Sequence, residues 1–119
     1  MSKRLINSFG YALNGIRLMF RSEANARIHL SVFVLVLLAA WFFELSAVEW
    51  ALVLLSSALV FAAEAFNTAL ESLTDLVAPA PHPLAKKAKD VAAGAVLLTA
   101  IGASLVGGII FLPKLLAYF

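Results

Sequence analysis

The chain has 119 residues, of which 63% are hydrophobic and 13% charged, with a net charge of +2 and no cysteine. Soluble domains carry roughly 25% charged residues, so this composition excludes a water-soluble helical bundle and implies a membrane protein. The missing cysteines exclude a disulfide framework, a thiolate zinc site and a thiol nucleophile. A small positive charge with no basic patch interleaved with aromatics excludes nucleic acid as a partner.

In chain order, residues 4–21 read as an amphipathic surface helix. Leu5, Phe9, Ala12, Leu13, Ile16 and Phe20 recur at steps of three and four, while Arg4, Asn7, Asn14, Arg17 and Arg21 take other faces. A basic polar side opposite Phe and Leu suits a helix lying in the membrane interface or packed on a bundle. No secretory leader is expected, because the first long apolar run begins only after Arg27 and no small-residue cleavage pattern follows it.

Residues 28–43 form the first expected span, punctuated only by His29 and Ser31, with Trp41 as an interfacial aromatic near its far end. Glu44 to Glu49 is a tight acidic connection, and the second span covers residues 50–70. Pro79, Pro81 and Pro83 alternate through the next segment, where missing donors and fixed φ angles preclude regular helix. Helix resumes at Leu84, with Lys86, Lys87 and Lys89 at its mouth, and the third span covers residues 91–112, ended by Pro113. Ala95, Thr99, Ala103 and Gly107 recur every fourth residue, a small-residue ridge that allows close helix contact. The whole chain, 1–119, reads as one all-α membrane domain with a surface helix and three transmembrane helices.

Basic residues set the orientation. Lys3, Arg4, Arg17, Arg21, Arg27, Lys86, Lys87 and Lys89 fall on one side of a three-span topology, against Lys114 alone on the other. By the positive-inside rule, the N-terminus and the proline loop are expected to face the cytoplasm.

Glu64, Asn67, Glu71 and Asp75 interrupt the apolar run at i, i+3, i+7 and i+11, one stripe of a helix. The fourteen residues before Glu64, from Trp50 to Ala63, carry no charge. An ionisable group drawn into hydrocarbon costs roughly 2.5–3.5 kcal/mol on insertion scales, so the stripe implies a purpose. Glu64 and Glu71 lie about 10.5 Å apart along a helix axis, which puts one near the lipid headgroups and the other near water. Glu23, His82, Lys86, Lys87, Lys89 and Asp90 collect at the same surface. Carboxylates that hold Mg²⁺ beside lysines that hold phosphate are the components of phosphoryl transfer, with Glu64 able to accept a hydroxyl proton. Blander readings stand beside these. Glu64 can be a buried acid bonded to a neighbouring helix, the lysines can be topology-setting charges, and His82 can be a solvated loop residue. No Gly-x-x-x-x-Gly-Lys-Ser/Thr or Gly-x-Gly-x-x-Gly loop is present.

The pattern Glu64-x-x-Asn67-Thr68-Ala69-x-Glu71-x-x-x-Asp75, followed by His82-Pro83-Leu84-Ala85-Lys86-x-Ala88-Lys89-Asp90, resembles the bacterial membrane-integral diacylglycerol kinase family. His-Pro-Leu-Ala-Lys and Ser22-Glu23-x-Asn25-x-Arg27-Ile28-His29 resemble its undecaprenol kinase branch, and the likeness runs from about Ser8 to Pro113. The resemblance implies a homotrimeric membrane kinase whose active sites are shared between protomers and use ATP with Mg²⁺. It implies Glu64 as general base on a lipid hydroxyl, Asn67 as an orienting group, and Glu23 and Glu71 as magnesium ligands. It further implies ATP contacts from Arg4, Tyr11, Glu23, Glu71, His82, Lys89 and Asp90. Ala80 and Pro81 depart from the acidic residue and tyrosine common in the family, so adenine contacts from this loop are not carried over.

The expected activity is ATP-dependent phosphorylation of a membrane lipid alcohol, undecaprenol to undecaprenyl phosphate, with diacylglycerol to phosphatidic acid as the alternative. Two other classes stay open on sequence alone: an inactive structural membrane subunit, and a small transporter using Glu64 and Asn67 as intramembrane polar sites.

Overall fold

The computed structural model describes residues 2–119; Met1, the first residue of the expected domain, lies outside the described residues. Four helices follow one another: α1 (Lys3–Ser22), α2 (Ala24–Phe42), α3 (Ala47–Val77) and α4 (Pro83–Tyr118), with no strand among the described residues. By length and composition, α2, α3 and α4 could each cross a membrane.

Each helix boundary has a local chemical cause. Ser2 caps α1 by accepting from the Leu5 amide at 3.3 Å. The chain breaks at Glu23, in extended backbone, and Arg27 reaches back from α2 to donate to the Phe20 and Arg21 carbonyls at 2.9 and 3.0 Å. A cation on the open carbonyls of a helix C-terminus satisfies them and complements the dipole, so Arg27 fastens the α1–α2 joint. At the end of α2, the Glu44 amide donates to the Trp41 carbonyl and the Leu45 amide to the Ala40 carbonyl, with Glu44 at φ 52°. This is a Schellman closure, in which Leu45 buries itself against Ala40. Glycine usually holds the left-handed position, and a side chain there costs about 1–2 kcal/mol.

Ser46 and Glu49 form a reciprocal capping box at the start of α3, and Glu49 also pairs with Lys114 of α4 at 3.2 Å. His82 caps α4, its Nδ1 accepting from the Leu84 amide at 3.1 Å with Pro83 in the first turn.

Among the described residues, α3 and α4 are the only pair packed along much of their length. Buried and half-buried residues run down α3 at alternating steps of three and four: Trp50, Val53, Ser57, Val60, Glu64, Asn67, Glu71 and Thr74. A matching line on α4 contains Ala85, Lys89, Ala92, Val96, Thr99, Ala103, Val106 and Ile110. This spacing keeps one seam facing a partner helix. Its outer end is apolar: Ala40, Leu45, Val53 and Ile110 form a core joined by Phe43, Trp50 and Phe111.

Two expectations about α4 are corrected. Pro113 does not end the helix, which continues to Tyr118. Proline removes one amide bond, but the last turn is held by Tyr118 against Phe42 and Phe43 and by the Lys114–Glu49 pair. The four-residue ridge likewise holds only in part: Thr99 and Ala103 lie on the packed line, but Ala95 is exposed and a Cβ built on Gly107 would meet nothing within 4 Å among the described residues. The packed line steps by three and four and uses Val106, so Gly107 falls beside it.

The protomer is open. Its surface is 8729 Å², whereas a compact monomer of this mass would expose about 6,200 Å². The radius of gyration is 17.5 Å against about 13.5 Å for a compact domain of this length. Leu35, Phe66, Leu98 and Ile109 stand exposed, which is tolerable only where lipid or protein covers them.

Candidate functional site

The same α3 line that is apolar at its outer end becomes polar from Glu64 onward. Helix periodicity puts Glu64, Asn67 and Glu71 on the packed side of α3, while Asp75 rotates out and Thr74 takes the packed position. The stripe is therefore a buried seam and not a wet face. Glu64 is 1% exposed and is the largest fully buried side chain; Asn67 is 8% exposed. Among the described residues, neither carboxylate oxygen of Glu64 has a hydrogen-bond partner, and nor does Asn67 Oδ1. Buried oxygens of this kind are normally satisfied, and exceptions mark sites that await a ligand or carry function.

Two further contacts order the group. Asn67 Nδ2 donates to Glu71 Oε1 at 3.2 Å, and the Thr68 hydroxyl donates to the Glu64 carbonyl at 2.9 Å. His29 Nε2 of α2 approaches Glu64 Oε1 to 3.4 Å. Glu23 is half-buried at the α1–α2 break, which Arg27 holds in shape.

Beyond the seam, Lys89 of α4 pairs with Asp75 of α3 across the loop, and Lys86 pairs with Asp90 along α4. The Asp75 carboxylate holds the Lys89 ammonium above its ordinary range, with desolvation opposing it. A concavity of about 810 Å³ lies between these groups and the proline loop, lined by Asp75, Pro79, Pro81, His82, Lys86, Lys89 and Asp90. Since His82 accepts at Nδ1 to cap α4, its Nε2 is left for another partner.

The structure thus brings Glu64, Asn67 and Glu71 together, and gathers His82, Lys89 and Asp90 at the adjoining concavity; the Glu23 side chain makes no hydrogen bond or ion pair with either group among the described residues. Arg4 and Tyr11 are not brought to either group. Both are exposed on α1, and their side chains make no hydrogen bond or ion pair among the described residues. At 1.5 Å per residue Arg4 stands about 24 Å along α1 from Phe20, whose ring packs on Phe61 of α3.

Sequence reasoning missed the contacts of three residues. His29 reads only as polar punctuation in a span, Arg27 as a topology charge, and Asp75 as the last member of a stripe. A polar residue in an apolar run was the available signal for His29, although its partner lies on another helix. No group of three or more His, Cys, Asp and Glu side chains assembles into a metal cage among the described residues. Magnesium does not require one: it keeps several waters and takes one or two carboxylates together with substrate phosphates. Glu71, bonded to Asn67 beside the unpartnered Glu64 and Asn67 oxygens, fits that smaller demand.

A family model described as prokaryotic diacylglycerol kinase matches residues 10–111. The chain is 48% identical over 118 residues to a diacylglycerol kinase of Synechocystis sp., covering 98% of this chain and 67% of that relative. It is 42% identical over 112 residues to an undecaprenol kinase of Bacillus subtilis, covering 94% of this chain and 91% of the relative. With a diacylglycerol kinase of Escherichia coli it shares 32% identity over 99 residues, 82% of this chain and 80% of the relative.

Proposed function

The chain belongs to the prokaryotic diacylglycerol kinase family, and from that membership we propose that it phosphorylates a membrane lipid alcohol with ATP, undecaprenol being the favoured substrate. The observation that carries the site is the buried polar half of the α3 seam, where Glu64 sits with two unpartnered oxygens.

Glu64 takes the proton from the lipid hydroxyl as the hydroxyl oxygen attacks the γ-phosphorus, and ADP departs with the electron pair of the broken P–O bond. Asn67, anchored on Glu71, orients groups beside that carboxylate. Glu23 and Glu71 would hold Mg²⁺, which when bound neutralises charge on the β- and γ-phosphates. Lys89 offsets phosphate charge, and Asp90 and His82 position the nucleotide over the proline loop. Arg4 and Tyr11 serve the nucleotide as well. The roughly 24 Å along α1 between Arg4 and the Phe20–Phe61 contact supports a homotrimer in which neighbouring protomers share each site. Openness of the protomer and the uncrowded glycines of α4 support the same assembly.

In this reading α1 is an amphipathic helix lying in the cytoplasmic interface of the inner membrane, and α2, α3 and α4 span it as a single domain of residues 1–119. The distribution of lysine and arginine supports a cytoplasmic N-terminus and proline loop.

The His-Pro-Leu-Ala-Lys form and the near full-length likeness to the Bacillus subtilis undecaprenol kinase favour undecaprenol. Diacylglycerol is the second reading, favoured by the name of the 48% identical Synechocystis relative. An ATP-dependent assay offering both lipids at equal mole fraction in one membrane mimetic tests the choice. Faster formation of undecaprenyl phosphate is expected. Preferential formation of phosphatidic acid would reverse the order, and no transfer to either lipid would return the chain to a structural or transport role.

A further inference from the structure

When Glu64 takes the hydroxyl's proton it becomes a neutral acid in a packed seam, and a second turnover needs that proton removed. Thr68 and Asn67, beside it on α3, cannot carry it. Thr68 spends its hydroxyl proton on the Glu64 carbonyl, and Asn67 is an amide already bonded to Glu71. One exchangeable group on another helix reaches the carboxylate: His29 Nε2, 3.4 Å from Glu64 Oε1. The His29 side chain is 27% exposed against 1% for Glu64, so the ring reaches surface that the carboxylate does not. Its ring also lines a cavity of about 350 Å³ between α2, α3 and α4 that includes Ser56, Ser57 and Ser104. The contact is slightly long and lacks hydrogen-bond geometry, as catalytic contacts often do before substrate tightens them.

We propose that His29 is the relay that resets the Glu64 base. After phosphoryl transfer, the proton on the Glu64 carboxyl passes to His29 Nε2, leaving a carboxylate and an imidazolium. The imidazolium then releases the proton on Nδ1 to interfacial water, and tautomerisation of the neutral ring through water frees Nε2 to accept again. Imidazole suits this step because each ring nitrogen can accept or release a proton near neutral pH. His29 acts on the reaction only through Glu64. The inference rests on the kinase reading above.

The experiment measures kcat, lipid KM and binding of a non-hydrolysable ATP analogue for the wild type, His29→Gln, His29→Ala and Glu64→Gln. Glutamine preserves a polar group at similar reach but cannot relay a proton. His29→Gln is expected to lose about 10²-fold in kcat, the lower end for acid–base groups, with lipid KM and analogue binding held. His29→Ala is expected to slow similarly and to regain turnover as imidazole is added, in proportion to the free base present. Glu64→Gln should not respond to imidazole. A His29→Gln enzyme within twofold of wild type overturns the relay, and so does a slow His29→Ala enzyme that imidazole does not rescue. If the wild type itself transfers no phosphate to either lipid alcohol, the kinase reading falls instead.

Discussion

The two halves of the α3–α4 seam share one spacing and opposite chemistry. At the outer end, Val53 and Ile110 meet Ala40 and Leu45 in a closed apolar core, with a capping box and the Glu49–Lys114 pair beside it. At the other end, the same register presents Glu64, Asn67 and Glu71, with three buried oxygens unpartnered. Close packing and satisfied polar groups belong to the half that holds the fold. Undersatisfied polar groups belong to the half that carries the site, where local rules are broken for a functional end.

Perturbing each half should separate stability from turnover. The largest expected effect is kinetic: Glu64→Gln removes the base, lowering kcat by at least about 10²-fold while nucleotide binding persists and folding is as stable as before. Wild-type turnover in that variant would remove Glu64 from the chemistry. In the outer half, Ile110→Ala opens a cavity in the buried core and should cost about 2–5 kcal/mol in reversible unfolding, with kcat preserved in the folded fraction. A loss of kcat larger than the loss of folded protein would show the halves to be coupled. Ser46→Ala deletes the α3 cap and should cost about 1 kcal/mol, read as a lower midpoint of unfolding with unchanged turnover.

The smallest effect concerns the ion pair at the mouth of the site. Asp75 raises the Lys89 ammonium above its ordinary value in the folded state. Its stabilisation is therefore complete below the unfolded lysine value of about 10.4 and is lost as pH rises through the higher folded value. Asp75→Asn should change stability little at neutral pH, because the pair is exposed, and should flatten the alkaline decline of the unfolding midpoint. An alkaline decline identical to that of the wild type would deny the pair any part in it.

Much of this organisation was legible along the chain because its causes are local. Apolar runs, the alternating prolines before α4 and the basic residues at one set of helix ends act through nearest neighbours and solvent. The Ser46–Glu49 cap also lies within one helical turn, although that stretch read only as an acidic connection. Glu64, Asn67 and Glu71 were visible as a stripe, but whether that stripe faced water or a neighbouring helix was not. Local signals also misjudged Pro113 and Gly107. The first is tolerated because Tyr118 and Lys114 are held by residues far away in sequence, and the second is displaced because the seam steps by three and four.

By itself the sequence determined a membrane-embedded, all-helical chain with polar residues concentrated towards one end, since hydropathy and turn chemistry are properties of short stretches. Only the tertiary structure decided which of those polar residues meet. His29 against Glu64, Asp75 against Lys89 and Arg27 against the end of α1 depend on helix rotation, crossing and closure. Those are set by side-chain packing between distant segments, which no single stretch encodes.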